Sequence, residues 1–279
     1  MKRRWSCYIT ATRFALIEQA RNRLALVILV FFIPLQLLLA YRATGANQVP
    51  FYVRAVGRSI TVDARSLGQI TIALQANALI VGFTMFIATA RSAPFDRRLA
   101  QAGYPRLSLV LAKVTSLMLA AAAVAVYTTA WMRLYWLPQQ PVLLAAGVFI
   151  AALVYGGIGI LLAAVLRSEL AGMFLLIMTS IIDIALQNPV LNMAGAARSL
   201  LSFLPAYGAM QSAITSVGLH LVPWSYLALG LCWATGTAAL GITAFVVRTR
   251  SHRATAPSTH PPATDEAVPV LADPAPTTQ

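Results

Sequence analysis

Long apolar runs alternate with short polar connections along this chain, and six of the runs are long enough to cross a membrane as helices. A helix rises about 1.5 Å per residue, so about 20 residues cross a hydrocarbon core of about 30 Å. The predicted spans are Leu24–Tyr41, Gln69–Ala90, Leu107–Met132, Val142–Leu166, Ala171–Gln187 and Trp224–Val247. The pattern predicts an all-α integral membrane protein whose six-span transmembrane domain occupies residues 24–247.

Residues 1–23 are basic and carry apolar side chains on one side of a helix. At 100° per residue, Trp5, Tyr8 and Leu16 fall on the same side. This pattern predicts a cytoplasmic amphipathic helix that lies in the membrane interface. A secretory signal peptide is the alternative, although its basic region would be unusually long and five more spans follow.

Residues 43–67 combine two β-favouring runs, PFYVRAV and SITVDAR, with Gly57 and Arg58 between them. A glycine at the first position of a two-residue loop is the signal of a type II′ turn. Pairing across this turn sets Val53 opposite Val62. We therefore predict an external β-hairpin, with an irregular loop as the alternative.

The stretch from Arg91 to Lys113 carries four arginines, one lysine and one aspartate between two predicted spans. Such a cluster of charges is costly in hydrocarbon. Residues 91–106 therefore predict a water-facing loop with a short helix in it. Lys113 lies near enough to the end of the third span for its ammonium group to reach the interface.

Residues 188–223 are apolar but are broken by Pro189, Pro205 and Pro223. Each half is too short to cross a membrane, and the whole stretch is too apolar for a solvated loop. The combination predicts a re-entrant helical hairpin that enters the outer leaflet. Residues 248–279 are rich in proline, alanine and threonine, and this composition predicts a disordered cytoplasmic tail.

The fourth predicted span carries small residues spaced about one helical turn apart, among them Ala152, Gly156, Gly159 and Ala163. Small side chains let helix backbones approach one another closely within a membrane. We therefore expect this span to pack tightly against its neighbours.

The composition agrees with a membrane protein and gives it an orientation. Hydrophobic residues make up 59% of the chain and charged residues 10%, and the net charge is +13. Soluble domains contain about 25% charged residues. The basic residues lie mostly in the connections, where they favour membrane orientation over nucleic-acid binding. Alternate connections hold 15 against 6 lysines and arginines, which predicts that both termini are cytoplasmic.

Three polar side chains inside the spans are candidates for a substrate path. Asp183 is the acidic residue within a predicted span. Its carboxyl group either lies on the substrate path or bonds to Asn188 or Gln187 at a helix interface. Gln75 and Asn77 likewise form inter-helix hydrogen bonds or contact substrate.

Familiar catalytic and nucleotide-binding motifs are missing from the sequence. It contains no GxxxxGK[ST], HExxH or GxSxG pattern. Cys7 and Cys232 have no partner residues at metal-ligand spacing. We therefore predict no catalytic residue, metal site or cofactor on this chain.

The segment FDRRLAQAGYPRLSLVLAK, a charged run followed by a Pro-Arg turn into a span, resembles permease subunits of type-2 ABC transporters. LLSFLPAYGAMQSAITSVG is similar to the segment before the last span in that family. The order of parts also matches, from the basic N-terminal helix through six spans to the apolar insertion. The resemblance covers roughly residues 1 to 248.

The resemblance implies specific roles for parts of the chain. The coupling helix of residues 95–101 is expected to dock on a separate ATP-binding subunit, beside a connecting helix of residues 5–21. The ATPase-coupling residues are then Phe95, Asp96, Arg97, Arg98, Leu99, Tyr104 and Arg106. The connecting-helix residues are Trp5, Arg13 and Ile17, and the re-entrant outer gate comprises Pro189, Leu204, Pro205 and Tyr207.

Two points in this comparison stay open. The family often carries several acidic residues at the start of the coupling loop, whereas this chain has only Asp96, so the contacts with the ATPase are unspecified. For Arg97 and Arg98, anchoring of the loop on the positively charged side of the membrane is the alternative to docking.

The resemblance implies an ATP-driven exporter of an amphiphilic drug, lipid or similar substrate in a bacterial inner (plasma) membrane. ATP and magnesium are expected on two copies of a P-loop partner subunit, and a second permease copy or a paralogue completes the pore. The lipid bilayer is a further partner, and nucleic acid is not expected. A stand-alone secondary transporter and a membrane-embedded enzyme are the alternatives, although secondary transporters usually show internal repeats.

Overall fold

The structure, a computed structural model, describes residues 2–53, 58–166, 168–188 and 201–250. These residues form eight helices and a two-stranded hairpin, and six of the helices are long and apolar enough to cross a membrane. The elements are α1 (Lys2–Arg21), α2 (Arg23–Ala43), β1 (Gln48–Val53), β2 (Arg58–Asp63), α3 (Ala64–Gln101), α4 (Arg106–Met132), α5 (Pro141–Val165), α6 (Glu169–Gln187), α7 (Tyr207–Gly218) and α8 (Trp224–Arg250). The predicted all-α membrane fold is confirmed.

Helix α5 lies at the centre of the bundle and packs against α3, α4, α7 and α8. Of its apolar stretch, 72% is buried within the chain, against 17% for α2. A helix that is apolar all round is expected in such a central position. The large exposed side chains of α2, such as Phe31 and Leu39, instead face outward from the bundle.

Small residues on α5 bring it into backbone contact with its neighbours, as the sequence predicts. A Cβ atom added to Gly159 would collide with the carbonyl oxygen of Gly82 in α3. One added to Gly157 would collide with the Thr237 hydroxyl of α8. Glycine fits at these contacts because its missing side chain leaves room for the backbone of Gly82 and for the Thr237 hydroxyl.

The hairpin exists, but its expected register is wrong. Val53 pairs with Arg58, and Val62 pairs with Val49. Arg58 therefore belongs to β2 and cannot form the two-residue turn expected there. Val49 and Val62 are both buried, so burial of an apolar pair sets the register in place of the local turn signal.

Helix α3 is longer than the predicted span and corrects the expected loop at residues 91–106. It continues through Pro94 to Gln101 and contains 38 residues. At 1.5 Å per residue its length is about 57 Å, almost twice a hydrocarbon core. The remaining connection to α4 is a short turn in which Gly103 adopts a φ of +84°, a left-handed conformation that glycine tolerates.

The second half of the expected re-entrant hairpin is a short buried helix. Helix α7 has 12 residues, and those from Tyr207 to Ser216 are all buried. Its length of about 18 Å is too short to cross a membrane. The first half of the expected hairpin, at residues 189–200, lies outside the described residues. Helix α8 continues to Arg250, so residues 248–250 of the expected tail at 248–279 are helical, and residues 251–279 lie outside the described residues.

Replacing Gly159 with leucine is expected to lower the thermal unfolding temperature of the purified protein. The new side chain would have to separate α5 from α3, and overpacking of this kind costs about 1–3 kcal/mol or more. Gly236→Leu is the matched control, because a Cβ atom added to Gly236 meets nothing within 4 Å. Equal unfolding temperatures for the two variants would contradict the close contact between α3 and α5.

Candidate functional site

The end of α3 and the beginning of α4 are joined by a buried ion pair. The Lys113 ammonium lies 2.7 Å from the Asp96 carboxylate, and Lys113 Nζ also donates a hydrogen bond to Ser92 Oγ at 2.7 Å. Asp96 is only 6% exposed. Lys113 Nζ lies 5.3 Å from the centre of the Phe245 ring of α8, a cation–π distance.

This pair changes the expected roles of both residues. Asp96, a predicted ATPase contact, lies inside the chain, where its carboxylate is occupied by Lys113 and Ser92. Lys113 turns toward Asp96 and is largely buried, rather than extending freely into the interface. The sequence already indicated this pair, since Asp96 is the acidic residue and Lys113 the lysine of the charged stretch from residue 91 to 113.

The exposed side of the last turns of α3, with the C-cap residue that follows them, forms a surface that we call the tip face, made of Phe95, Arg98 and Ala102. These residues are three or four positions apart, so they share one side of the helix. Phe95 is 63% exposed. The other expected coupling residues Arg97, Leu99, Tyr104 and Arg106 are partly buried. The tip face therefore presents one aromatic ring beside an arginine.

Helix α1 packs mainly along α4 and is tied to the turn that follows α3. The Tyr104 hydroxyl donates to the carbonyl oxygen of Cys7 at 2.5 Å. Tyr8 and Thr115 share a hydroxyl hydrogen bond of 2.8 Å. Burial of the Tyr104 phenol, together with Cys7, raises its pKa, so this phenol stays a neutral donor at physiological pH.

The expected connecting-helix residues are accessible on the surface of α1. Trp5, Arg13 and Ile17 are all exposed. Tyr8 and Thr12 are partly buried, as is Leu16 one turn further along. The apolar side predicted for this helix is thus divided, since Trp5 is exposed while Tyr8 contacts α4.

The predicted path residues Gln75 and Asn77 form hydrogen bonds between helices. Gln75 Nε2 of α3 donates to Ser180 Oγ of α6 at 2.9 Å. Thr128 Oγ1 of α4 donates to Asn77 Oδ1 at 3.1 Å. Amide side chains commonly hold membrane helices together in this way.

Asp183 is the centre of a buried polar cluster. It is 2% exposed and accepts hydrogen bonds from the Tyr155 hydroxyl at 2.6 Å and from the Ala206 amide at 2.9 Å. Gln187 Nε2 also donates to it. The carboxyl group thereby joins α5, α6 and the segment before α7. Sequence reasoning missed Tyr155, although it is a phenol within the apolar α5.

The described residues of the expected outer gate lie close to this cluster. Leu204 and Pro205 are partly buried and precede Ala206, whose amide contacts Asp183. Tyr207 is buried and packs edge-on against Tyr226 of α8, with ring centres 5.8 Å apart. Pro189 lies outside the described residues.

These features define the class of the protein as an all-α membrane protein with a charged helical extension at one end of its bundle. No protein-family model matches the chain, and no curated protein matches it either. Within the described residues, no three histidine, cysteine or acidic side chains are grouped so that they could hold a metal ion. The exposed chemistry at the tip consists of arginine and aromatic side chains.

Replacing Lys113 with methionine is expected to destabilise the protein by about 3–5 kcal/mol, because Asp96 would remain buried without a counter-charge. The double variant Asp96→Leu/Lys113→Met removes both charges and should recover most of the loss. Thermal and denaturant unfolding of Asp96→Leu, Lys113→Met and the double variant measures the coupling between the two side chains. Additive losses would contradict the buried pair.

Tyr155→Phe is expected to cost about 1–3 kcal/mol, since it removes a hydrogen bond to the buried Asp183 carboxyl group. Tyr127→Phe is the control, because the Tyr127 hydroxyl donates to the Val30 carbonyl oxygen at an exposed position. The unfolding temperatures of the two variants show how much each of the two hydrogen bonds contributes to stability. A larger loss for Tyr127→Phe would rule out the polar cluster as a stabilising feature.

Proposed function

We propose that this chain is the transmembrane permease subunit of an ATP-driven exporter and that a separate subunit hydrolyses the ATP. The observation that carries this proposal is the continuity of α3, which runs unbroken from the buried core of the bundle to the exposed tip face. A force applied to Phe95 or Arg98 would therefore act directly on a helix that lines the core.

The connections of α3 suit the transmission of such a force. Inside the bundle it packs most extensively against α5, at the glycine contact between Gly82 and Gly159. At the tip, the Asp96–Lys113 pair joins it to α4. Because close interior packing transmits strain, a displacement of the tip would reach both places at which α3 is held. Movement of the tip is thus coupled to movement within the spans.

The tip face has the chemistry of a protein-binding surface. Aromatic and arginine side chains are enriched at the energetically dominant positions of interfaces. Phe95 and Arg98 provide one of each, and both are exposed. Asp96 is committed to Lys113 and adds little to this surface. Arg97 and Arg98 also suit the alternative role of anchoring this end on the cytoplasmic side.

The proposal includes the partners that such a subunit needs. ATP and magnesium bind to two P-loop subunits on the cytoplasmic side of a bacterial inner membrane, where both termini of this chain also lie. A second permease copy or a paralogue completes the pore, and the substrate is an amphiphile such as a drug or a lipid. A secondary transporter or a membrane enzyme, the competing functions, would instead act without an ATPase.

Replacing both Phe95 and Arg98 with alanine is expected to reduce copurification of the proposed P-loop ATPase subunit about 30-fold. Loss of one interface hot spot costs about 2 kcal/mol, which corresponds to that factor. Copurification from membranes that contain both chains measures the effect, together with ATP-dependent export.

Arg133→Ala/Leu134→Ala is the control, because it removes one exposed arginine and one exposed large apolar side chain just beyond the other end of α4. The control should retain the ATPase. Full copurification and export by the Phe95→Ala/Arg98→Ala variant would overturn docking at the tip face, and transport in vesicles without any ATPase would overturn the function itself.

A further inference from the structure

A groove of about 740 Å³ lies between α1 and α3 and is also lined by the beginning of α4. Helix α1 packs mainly along α4 and touches α3 at few places, which leaves this space open. The groove extends along α3 from Thr84 to Leu99, about 22 Å at the rise of an α-helix. An extended peptide of about seven residues has this length. The groove is therefore large enough for a short segment of chain.

The two ends of the groove differ in character. The hydrogen bond from Gln19 Nε2 to the Met85 sulfur, at 3.3 Å, places the end of α1 and its arginines at one end. The other end lies beside the α3–α4 turn. Its lining includes the apolar side chains Phe95, Leu99 and Leu109. A peptide along the groove would therefore meet basic groups at one end and an apolar wall toward the other.

The groove opens toward water. Arg21, Arg23 and Arg91 line it and are exposed, and exposed arginines are costly within a hydrocarbon core. Phe14 and Phe95 also line it and are 67% and 63% exposed. Large aromatic side chains left open beside a groove are typical of surfaces that bind a partner.

The lining of the groove has an excess of positive charge. Its acidic residues are Glu18 and Asp96, and Asp96 is paired with Lys113. The three lining arginines therefore face one uncommitted carboxylate. A peptide that complements this lining carries acidic side chains next to apolar ones.

The segment of the chain that follows α8 contains such a sequence. Residues 251–279 include three large apolar residues, and all of them lie within DEAVPVLAD, residues 265–273. The same nine residues hold all the acidic residues of that segment, namely Asp265, Glu266 and Asp273. The acidic residues stand on both sides of the apolar centre. This sequence thus combines the two properties that the groove requires.

Helix α8 ends close enough to the groove for these residues to reach it. The Phe245 ring of α8 lies 5.3 Å from the Lys113 ammonium, and Lys113 lines the groove. The helix ends at Arg250, and residues 251–264 connect it to Asp265. A flexible connection of this length has a typical end-to-end distance of about 20 Å. Such a tether gives an effective concentration in the millimolar range, which favours binding within one chain.

We propose that residues 265–273 bind in the groove between α1 and α3 of the same chain. Their apolar centre packs against the apolar wall, and in either direction of the peptide a carboxylate meets Arg21 and Arg23. The docking requires this chain alone, so it does not rest on the proposed export function. Because Phe95 belongs both to the groove and to the tip face, the bound residues compete with a tip-face partner for its ring.

Photo-cross-linking of the detergent-purified full chain tests the proposal. A photoreactive p-benzoylphenylalanine at position 272 replaces Ala272 and leaves the three large apolar residues of the segment unchanged. Mass spectrometry then locates the cross-links, and most of them are expected on residues that line the groove.

Variants of the segment show whether its charges are needed. Asp265→Asn/Glu266→Gln/Asp273→Asn is expected to lower the cross-link yield on the order of fivefold, because an exposed ion pair contributes up to about that factor. Thr277→Ala/Thr278→Ala is the control, since it changes two residues of the same segment outside 265–273. The control should keep the full yield.

A variant of the groove tests the other side of the contact. Arg21→Gln/Arg23→Gln should lower the yield by a similar factor, whereas Arg42→Gln/Arg133→Gln, which removes two exposed arginines at the opposite end of the bundle, should keep it. Circular dichroism and size-exclusion profiles monitor folding. If loss of Arg21 and Arg23 prevents folding, the variants of residues 265–273 decide the question, because these residues follow the last helix.

Three results would overturn the docking: cross-links scattered over the surface, a yield that survives loss of the three carboxylates, or cross-links mainly to a second copy of the chain. A copurified lipid in native mass spectra, together with an absence of cross-links to the groove, would assign the groove to lipid instead. None of these measurements uses the ATPase, so failure of the docking is distinguishable from failure of the transport proposal.

Discussion

Close backbone contact along α5 is the constraint on which the rest of the structure depends. In a membrane, burial of apolar surface does not drive helices together, because lipid tails are as apolar as leucine. Packing and polar bonds must do so instead. Gly159 lets α5 meet the backbone of α3 at Gly82, and Gly157 and Gly156 leave room for the side chains of Thr237 in α8 and Leu117 in α4. The positions of α3, α4 and α8 around this centre follow from those contacts.

Polar groups then fix the orientation of helices that glycine brings together. Asp183 joins α5 and α6 to the segment before α7 through three donors, and Gln75 joins α3 to α6. Asp96 and Lys113 do the same for α3 and α4 at the tip. Each of these groups has a partner within the chain, so it contributes specificity to the arrangement of the helices.

The sequence allowed the spans, the existence of the hairpin and the close packing of α5 to be predicted, because each depends on a local pattern of residue types. The register of the hairpin and the full length of α3 depend on tertiary contacts. The register depends on the burial of Val62, which the local turn signal at Gly57 does not encode. The length of α3 exceeds that of its apolar run because a helix satisfies its own backbone hydrogen bonds and can extend into water. The role of Tyr155 was unpredictable for the same reason, since its partner is distant in sequence.

The candidate site shows the same division between local and long-range information. That Phe95 and Arg98 lie on one exposed side follows from their spacing, but the burial of Asp96 between them requires Lys113 from the next helix. Helix α1 is held to this region by the bonds of Tyr104 to Cys7 and of Tyr8 to Thr115. A partner bound to the tip face would therefore act on α1 and on the α3–α4 turn together.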